Sequence, residues 1–293
     1  MIYSPGPCFD TPLIPRYYSC VNAKLGQLKS LLHGCERTLV AYSGGVDSTF
    51  LAKIAAEMLG AQMLAVIADT PSLPRRELAQ ALALAEQLHI PVRVIKTNEM
   101  ADPRYTSNPL DRCYFCKSEL FGKLVALARA EGWQTIVYGE NLSDSGDSRP
   151  GAQAAAECGA RAPLREVGLT KAEIRALSRE LGLPTADKPQ MACLSSRIPY
   201  GESVTAETLA KIEAAENVLR DADFCDVRVR HHGDVARIEV GADEMPQFFR
   251  NSLRESVVKA FKKLGYRYVA LDLQGFRSGS GNEALTKEKG KVS

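Results

Sequence analysis

Short apolar runs alternate along the first half of the chain with longer segments in which apolar residues recur every three or four positions. Four runs are rich in β-branched and aliphatic residues: TLVAY, MLAVIA, the run from Ile90 to Ile95, and TIVY. The segments between them carry apolar residues at helical spacing, as at Leu78, Leu82 and Ala85. This alternation predicts an α/β fold in which a parallel sheet has helices on both faces. The alternative is that the buried runs are helical.

The pattern changes towards the carboxyl end. Thr170 and Glu173 form a capping box that predicts a helix start, and Gly182 and Pro184 predict its end. From Gly201 the predicted order is helix, strand, strand, helix, strand, which describes a separate small α+β unit. Its elements are a helix over 205–220, the strands CDVRVRH and VARIEV, a helix over 243–264 and the strand RYVALDL. The predicted domains are 1–200, with an irregular extension over 1–24, and 201–279, followed by a flexible tail over 280–293.

Composition narrows the class of protein. The 293 residues suit two domains of about 150 residues each, and the 45% hydrophobic content excludes a largely disordered chain. Lys and Arg number 37 against 35 Asp and Glu, so the basic excess typical of nucleic-acid binders is missing. No apolar stretch approaches the roughly 20 residues that span a bilayer, and the start resembles no signal sequence. We expect a cytoplasmic protein that binds neither nucleic acid nor membrane and keeps its cysteines reduced.

A glycine-rich turn follows the first predicted strand and opens a predicted helix. It consists of Ser43, Gly44, Gly45, Val46, Asp47 and Ser48. The two glycines let the backbone approach a phosphate closely, and N–H groups at a helix start attract anions. Asp47 would repel phosphate unless a Mg²⁺ ion lies between them, and the turn lacks the lysine of the common ATPase loop. The turn predicts a site for a nucleotide pyrophosphate; the simpler alternative is an ordinary strand-to-helix turn.

Three of the eight cysteines have a spacing that indicates chemistry. Cys113 and Cys116 form a C-x₂-C pair, and Cys193 follows in MACLSSRIPYG. A C-x₂-C pair alone is compatible with a zinc site, an iron–sulfur cluster or a redox function. Three thiolates that converge fit an iron–sulfur cluster in which the protein leaves one iron without a ligand. Basic residues flank them, which we expect to favour thiolates: Arg112, Lys117 and Arg197. The alternative is buried, inert cysteines, which is our interpretation of Cys8, Cys20, Cys35, Cys158 and Cys225.

Longer motifs resemble known families. SGGVDS is similar to the pyrophosphate loop of the adenylating ATPases, which include NAD synthetase, GMP synthetase and tRNA thiolation enzymes. The runs NPLDRCYFCKSELF, GENLSDSGDSRPG, ACLSSRIPYGE and LDLQGFRSGS, in this order, resemble the LarE family over roughly residues 25–281. That resemblance implies an ATP- and Mg²⁺-dependent sulfur transferase of nickel-pincer nucleotide synthesis. The implied substrate is a pyridinium mononucleotide with two carboxylates, each adenylated and then converted to a thiocarboxylate.

The resemblance leaves the source of the sulfur open between two branches of the family. In one branch the cysteine matching Cys193 gives up its own sulfur and becomes dehydroalanine. In the other, three cysteines hold a 4Fe–4S cluster whose open iron carries sulfide from an external donor. The presence of Cys113 and Cys116 favours the cluster branch, with Cys193 as the third ligand and as a catalytic residue. Relatives also imply a homo-oligomer.

The resemblance implies further ligand contacts in two places. Asn141 and Asp144, for the nucleotide, and Arg149, for the substrate, lie in the loop after the fourth strand, at the edge where α/β sheets bind ligands. Tyr114 is expected to stack on a ligand ring. Lys117 is expected to contact the substrate.

Charged residues of the second unit suggest an anion site. Arg228 and Arg230 alternate along a strand and share a face, and Glu239 lies on the neighbouring strand. We expect this group to bind the phosphate of the substrate; the alternative is a surface salt-bridge ladder. Arg197 is expected to act beside Cys193 by stabilising developing negative charge.

Two other functions are considered: an enzyme that uses the same loop, and a sensor that shares only the layered fold. A tRNA-thiolation-type or 7-cyano-7-deazaguanine-type enzyme is disfavoured by the even charge balance and by the missing fourth spaced cysteine. A non-catalytic nucleotide sensor gives no reason for three cysteines near the cleft.

Overall fold

The computed structural model describes residues 13–146, 150–250 and 252–277. A four-stranded parallel sheet forms the centre of the first part of the chain, with the strand order β3-β2-β1-β4. The strands are β1 (Thr38–Ala41), β2 (Met63–Asp69), β3 (Val92–Lys96) and β4 (Thr135–Tyr138). These are the four predicted runs, so the predicted parallel sheet is confirmed.

Helices cover both faces of this sheet. Adjacent residues of one strand face opposite sides, so that Val40 packs with one group of helices and Leu39 with the other. The helices are α1 (Leu13–His33), α2 (Val46–Leu59), α3 (Arg75–Gln87), α4 (Pro103–Thr106), α5 (Arg112–Glu131), α6 (Pro150–Glu157), α7 (Pro163–Glu166) and α8 (Lys171–Glu180). Helices α1, α2, α3 and α8 share the Val40 face, whereas α5 and α6 share the Leu39 face. The predicted two-sided arrangement is confirmed.

Helix α1 corrects one prediction. Within the described residues, the extension predicted as irregular over 1–24 is helical from Leu13 onwards. Pro15 is tolerated because it lies in the first turn, where the missing N–H has no helical partner. Leu28 and Leu32 are fully buried against the sheet core, and Lys24 donates to Glu173 on α8 at 2.7 Å. Packing of one helix face against the sheet core therefore stabilises a helix in part of the segment predicted as irregular.

A second, three-stranded sheet follows helix α9 (Ala206–Arg220). Its strands are β5 (Val227–His232), β6 (Val235–Val240) and β7 (Tyr268–Leu271), in the order β5-β6-β7. Strand β5 is antiparallel to β6 and places Arg228 opposite Glu239, whereas β7 is parallel to β6. The predicted helix over 243–264 is wrong in its extent. A 3₁₀ turn over Met245–Phe249 precedes α10 (Leu253–Lys263), because Arg250 adopts an extended backbone between them.

Two predicted regions lie outside the described residues, namely Arg149 and the tail over 280–293. In the part of the chain that the structure describes, no helix combines the length and apolarity needed to cross a membrane.

Candidate active site

The predicted pyrophosphate turn connects β1 to α2. Gly44 has φ +69°, and a Cβ added there would lie 2.5 Å from Cβ of Ala81 on α3. On the other side, a Cβ added to Gly139, which follows β4, would lie 2.8 Å from the backbone N of Ser48. Both glycines are therefore required by close approach of neighbouring elements. The turn is held in one shape, with the first N–H groups of α2 at the carboxyl edge of the sheet.

The side chains of the turn leave one carboxylate oxygen available. Ser43 Oγ and Ser48 Oγ lie 2.9 Å apart and hold the two ends of the turn together. Asp47 Oδ2 accepts from Lys171 Nζ at 2.6 Å, whereas Asp47 Oδ1 is buried and has no hydrogen-bond partner among the described residues. A buried oxygen without a partner fits a cation such as Mg²⁺. Lys188 also reaches the turn: its Nζ lies 3.3 Å from the Gly44 carbonyl oxygen and is paired with Glu77 Oε2 at 2.9 Å.

The loop after β4 comes close to the same turn. Asn141 Nδ2 donates to Asp144 Oδ2 at 2.8 Å, so the two side chains predicted to contact the nucleotide are hydrogen-bonded to each other. Ser143 Oγ accepts from the backbone N–H of Lys171 at 3.1 Å, which places the loop next to the lysine that binds Asp47. Contact of Asn141 and Asp144 with a nucleotide stays a prediction.

The three spaced cysteines lie on neighbouring segments, which together form the cysteine corner. Cys113 and Cys116 lie in the first turns of α5, and Cys193 is the N-cap of a 3₁₀ turn over Leu194–Arg197. Cys193 acts electrostatically on both Cys113 and Cys116. The three sulfur atoms therefore lie within interaction range, although a long stretch of the first domain separates Cys116 from Cys193 along the chain.

Buried polar groups hold the Cys193 segment against the start of α5. The backbone N–H of Leu194 donates to the Ser72 carbonyl at 2.8 Å. Arg112 Nη1 donates to the Ser195 carbonyl at 2.9 Å. The hydroxyls of Tyr105 and Ser195 lie 2.6 Å apart. The corner thus depends on pairings between loops that are distant in sequence.

A connecting strap, residues 186–197, links the cysteine corner to the nucleotide turn. Met191 Cε lies 3.7 Å from the position of a Cβ added to Gly45. Arg175 Nη2 donates to the Lys188 carbonyl at 2.8 Å. Because Met191 lies two residues before Cys193, the strap connects the Cys193 segment to the nucleotide turn.

The expectation that the flanking basic residues favour thiolates is wrong for Cys113 and Cys116, because desolvation outweighs the effect of those residues. Burial raises the pKa of Cys116 to about 12, and Cys193 adds to this rise while Lys117 opposes it. Partial desolvation also raises the pKa of Cys113, with Cys193 as the second cause. Arg112 lowers it too little to compensate, since its buried guanidinium donates to Asn108 and to a carbonyl. Without a bound cation, Cys113 and Cys116 are neutral thiols near pH 7.

The cysteine donor set fits a metal cluster in its chemistry. Three sulfur atoms at one corner, two with raised pKa values, would be deprotonated and neutralised by bound iron. Within residues 13–146, 150–250 and 252–277, however, no group of three or more ligand side chains is arranged to hold a metal ion. The cluster ligands stay a prediction.

Arg197 is directed away from solvent. It is 2% exposed, and its Nε donates to Glu216 Oε1 at 2.8 Å. Its Nη1 donates to the carbonyl oxygens of Ala192 and Cys193 at 2.8 and 2.9 Å. These contacts engage the guanidinium with protein groups, so they favour a positioning role over the predicted contact with the reacting atoms.

The two arginines of β5 differ in their partners. Arg230 makes a two-pronged pair with Glu239, at 3.0 and 2.9 Å. Arg228 lies over the ring of Phe276 at 4.9 Å and donates to the carbonyl oxygens of Val227 and Gln190 at 2.8 and 3.4 Å, but it forms no salt bridge within the described residues. Burial and the neighbouring Arg197 lower the pKa of Arg228 to about 10. A half-buried cation among other cations favours anion binding at Arg228, and a surface ladder is excluded for the buried pair Arg230–Glu239.

The remaining predicted contacts lie on α5. The Tyr114 hydroxyl donates to Glu157 Oε2 on α6 at 2.6 Å, and its ring meets Phe115 edge-on. Lys117 is exposed, and its Cγ lies 3.0 Å from the position of a Cβ added to Gly151. Ring stacking by Tyr114 and substrate contact by Lys117 stay predictions.

Sequence reasoning missed Lys188 and Glu216. Lys188 stands in an irregular segment, where its reach to the Gly44 carbonyl has no periodic signal. Glu216 is one of several acids on α9, and nothing local distinguishes the one that is fully buried. The sequence gives no sign that this glutamate pairs with Arg197 and Arg220.

Comparisons with known proteins extend over most of the chain. The NAD synthase family model matches residues 23–108. An uncharacterised protein of Synechocystis sp. is 46% identical over 267 residues, which cover 91% of this chain and 100% of that protein. The pyridinium-3,5-bisthiocarboxylic acid mononucleotide synthase of Lactiplantibacillus plantarum is 37% identical over 265 residues, which cover 90% of this chain and 95% of that enzyme. A glutamine-hydrolysing GMP synthase polypeptide of Methanococcus vannielii is 25% identical over 70% of this chain and 67% of its own length.

Proposed function

Because this chain belongs to the LarE family of PP-loop ATP-using proteins, we propose that it is an ATP-dependent sulfur transferase of nickel-pincer nucleotide synthesis. Its substrate is pyridinium-3,5-biscarboxylic acid mononucleotide, and its product carries thiocarboxylates in place of the carboxylates. The name of the Lactiplantibacillus relative supports this product.

The first step is adenylation. A substrate carboxylate oxygen attacks the α-phosphorus of ATP, the bond between that phosphorus and the bridging oxygen breaks, and pyrophosphate leaves with the electron pair. The N–H groups at the start of α2 stabilise the negative charge that develops on the leaving pyrophosphate. Asp47 Oδ1 would hold the Mg²⁺ that accompanies ATP, and Lys171, which is paired with Asp47, and Lys188, which is paired with Glu77, lie beside the same turn.

The second step forms the carbon–sulfur bond. A sulfur nucleophile attacks the carbonyl carbon of the acyl-adenylate, and AMP leaves with the electrons of the broken carbon–oxygen bond. Cys113, Cys116 and Cys193 would hold a 4Fe–4S cluster, which supplies a sulfide on an iron without a protein ligand. The presence of the C-x₂-C pair supports this route. The alternative is that Cys193 donates its own sulfur and becomes dehydroalanine.

Substrate phosphate binds at Arg228. Support comes from its half-buried setting, in which three arginines, Arg197, Arg220 and Arg230, act on it against one carboxylate, Glu216; Arg230 itself is paired with Glu239. Arg197 positions the Cys193 backbone. Cytoplasmic location and homo-oligomer formation are part of the proposal, and the exposed apolar residues Phe249, Tyr268 and Leu273 of the second unit support self-association.

One observation carries the proposal: the strap that bears Cys193 contacts the nucleotide turn through Met191, and Cys193 interacts electrostatically with Cys113 and Cys116. The test is anaerobic purification followed by assays for iron, acid-labile sulfide and substrate-dependent pyrophosphate release. We expect a brown protein that turns over repeatedly when sulfide is supplied. A double variant, Cys113→Ala with Cys116→Ala, should lose the iron and repeated turnover.

Two results would count against the cluster route. Repeated turnover by the double variant would overturn it. A colourless wild-type protein that loses about 34 Da at Cys193 on turnover, the mass of hydrogen sulfide, would establish the sacrificial route instead. Absence of pyrophosphate release with the mononucleotide would reject the sulfur transferase altogether.

A further inference from the structure

Two guanidinium groups hold the backbone on either side of Cys193. Arg197 Nη1 donates to the carbonyl oxygens of Ala192 and Cys193, at 2.8 and 2.9 Å. Arg230 Nη1 donates to the Ser196 carbonyl at 2.8 Å. The residues before, at and after the sulfur-bearing position are therefore fixed by side chains rather than by a helix or a sheet.

Glu216 connects this segment to the second unit. Its side chain is 0% exposed and accepts from Arg197 Nε at 2.8 Å and Nη2 at 3.3 Å. It also accepts from Arg220 Nη2 at 3.0 Å and from the backbone N–H of Val229 at 3.1 Å. One buried carboxylate thus joins the strap, α9 and β5, the strand that carries the Arg228 anion site.

A buried ion pair by itself says little about stability, because apolar replacements often serve as well. Glu216 has a further effect, which is to fix the orientation of the Arg197 guanidinium. The two carboxylate oxygens fix the plane of the Arg197 guanidinium, and this plane directs the remaining N–H groups at the two carbonyls. An apolar pair would fill the space without that orientation.

We propose that Glu216 is a positioning residue for sulfur transfer: acting through Arg197, it directs Cys193 Sγ towards the nucleotide turn. The proposal rests on the proposed function only in assigning Cys193 a reacting or ligating sulfur. It makes the second unit part of the catalytic apparatus, since the carboxylate that orients the sulfur lies on α9.

The test compares Glu216→Gln and Arg197→Lys with the control Glu207→Gln, an exposed acid on the same helix. Glutamine keeps the size of Glu216 but cannot present two anionic oxygens. Lysine keeps the charge of Arg197 but cannot bind Glu216 and two carbonyls together. The alkylation rate of each cysteine is followed by mass spectrometry, with exposed Cys20 and buried Cys35 as references. Melting temperature, pyrophosphate release and thiocarboxylate formation are measured on the same samples.

We expect both test variants to release pyrophosphate at about the rate of the control, while kcat for thiocarboxylate formation falls about 100-fold at unchanged KM for ATP. Cys193 is already exposed in the folded protein, so its alkylation rate should change about threefold or more in either direction once the released strap no longer holds the thiol in one orientation, while Cys35 stays protected. A purely structural role would instead expose Cys35 and reduce both activities together.

The proposal is overturned if either folded variant alkylates Cys193 and forms thiocarboxylate within about twofold of the control. If Glu216→Gln does not fold, Arg197→Lys decides the question. If the wild type forms no thiocarboxylate, the proposed function fails, whereas the alkylation comparison still tests the positioning role.

Discussion

Gly44 offers a direct test of how tightly the nucleotide turn is packed. In Gly44→Ala, the new residue must adopt φ +69°, which costs about 1–2 kcal/mol for an L-residue. Its Cβ would lie 2.5 Å from Ala81 Cβ, and relieving such an overlap typically costs about 1–3 kcal/mol. Helix α3 resists retreat because the buried Tyr42 hydroxyl donates to the Ala81 carbonyl at 3.0 Å.

These terms predict a loss of about 2–5 kcal/mol in the free energy of unfolding. In a chain of this size that corresponds to a fall of about 5–15 °C in Tm. The assay is thermal unfolding by circular dichroism, with pyrophosphate release measured in parallel. The control is Gly26→Ala, where no heavy atom lies within 4 Å of the added Cβ; it should stabilise α1 by about 0.5–1 kcal/mol.

A double-mutant cycle separates the two causes. Ala81→Gly removes the overlapping methyl but leaves the backbone strain at position 44. We expect Gly44→Ala with Ala81→Gly to be about 1–3 kcal/mol more stable than the sum of the single effects. Unchanged Tm in Gly44→Ala, or strictly additive effects in the cycle, would refute the packing argument.

Three further predictions follow from charges and pKa values. Arg228→Ala should raise KM for the mononucleotide about tenfold or more and leave KM for ATP unchanged. If the wild type and the variant have equal KM values for the mononucleotide, Arg228 does not bind its phosphate. Alkylation of Cys116 in the iron-free protein should be about 1,000-fold slower at pH 8 than alkylation of a thiol with pKa near 9. Its rate should keep rising as the pH approaches 12. A plateau near pH 9 would show that burial does not raise the pKa of Cys116. Burial acts to raise the pKa of Glu173, but hydrogen bonds from Lys24 and Thr170 outweigh it and lower that pKa. Glu173→Gln should therefore cost about 1–2 kcal/mol at pH 7, and urea titrations should show the difference disappear as the pH falls through the folded pKa, whereas a difference that persists in acid would show that charge is not its cause.

Elements with a local cause could be predicted from the sequence. The four apolar runs became the parallel strands, and the Thr170–Glu173 box became the start of α8, with both reciprocal hydrogen bonds present. Helix α1 was missed in its first half, because its stability depends on contacts with α2 and α8. The break near Arg250 was missed because a 3₁₀ turn and an α-helix place apolar residues at similar spacing.

By itself, the sequence determined which residue types could bind a nucleotide and carry sulfur, since the glycine turn and the cysteine spacing are local properties of the chain. Only the tertiary structure decided whether those residues are buried, which partners they have and whether their pKa values rise or fall. Arg197 and Arg228 are both arginines beside an expected ligand, yet one is enclosed by Glu216 and two carbonyls while the other lacks a carboxylate partner in the described part of the chain. The direction of the Cys116 pKa was likewise set by burial. The physical reason is that desolvation and pairing depend on neighbours that folding brings from far along the chain.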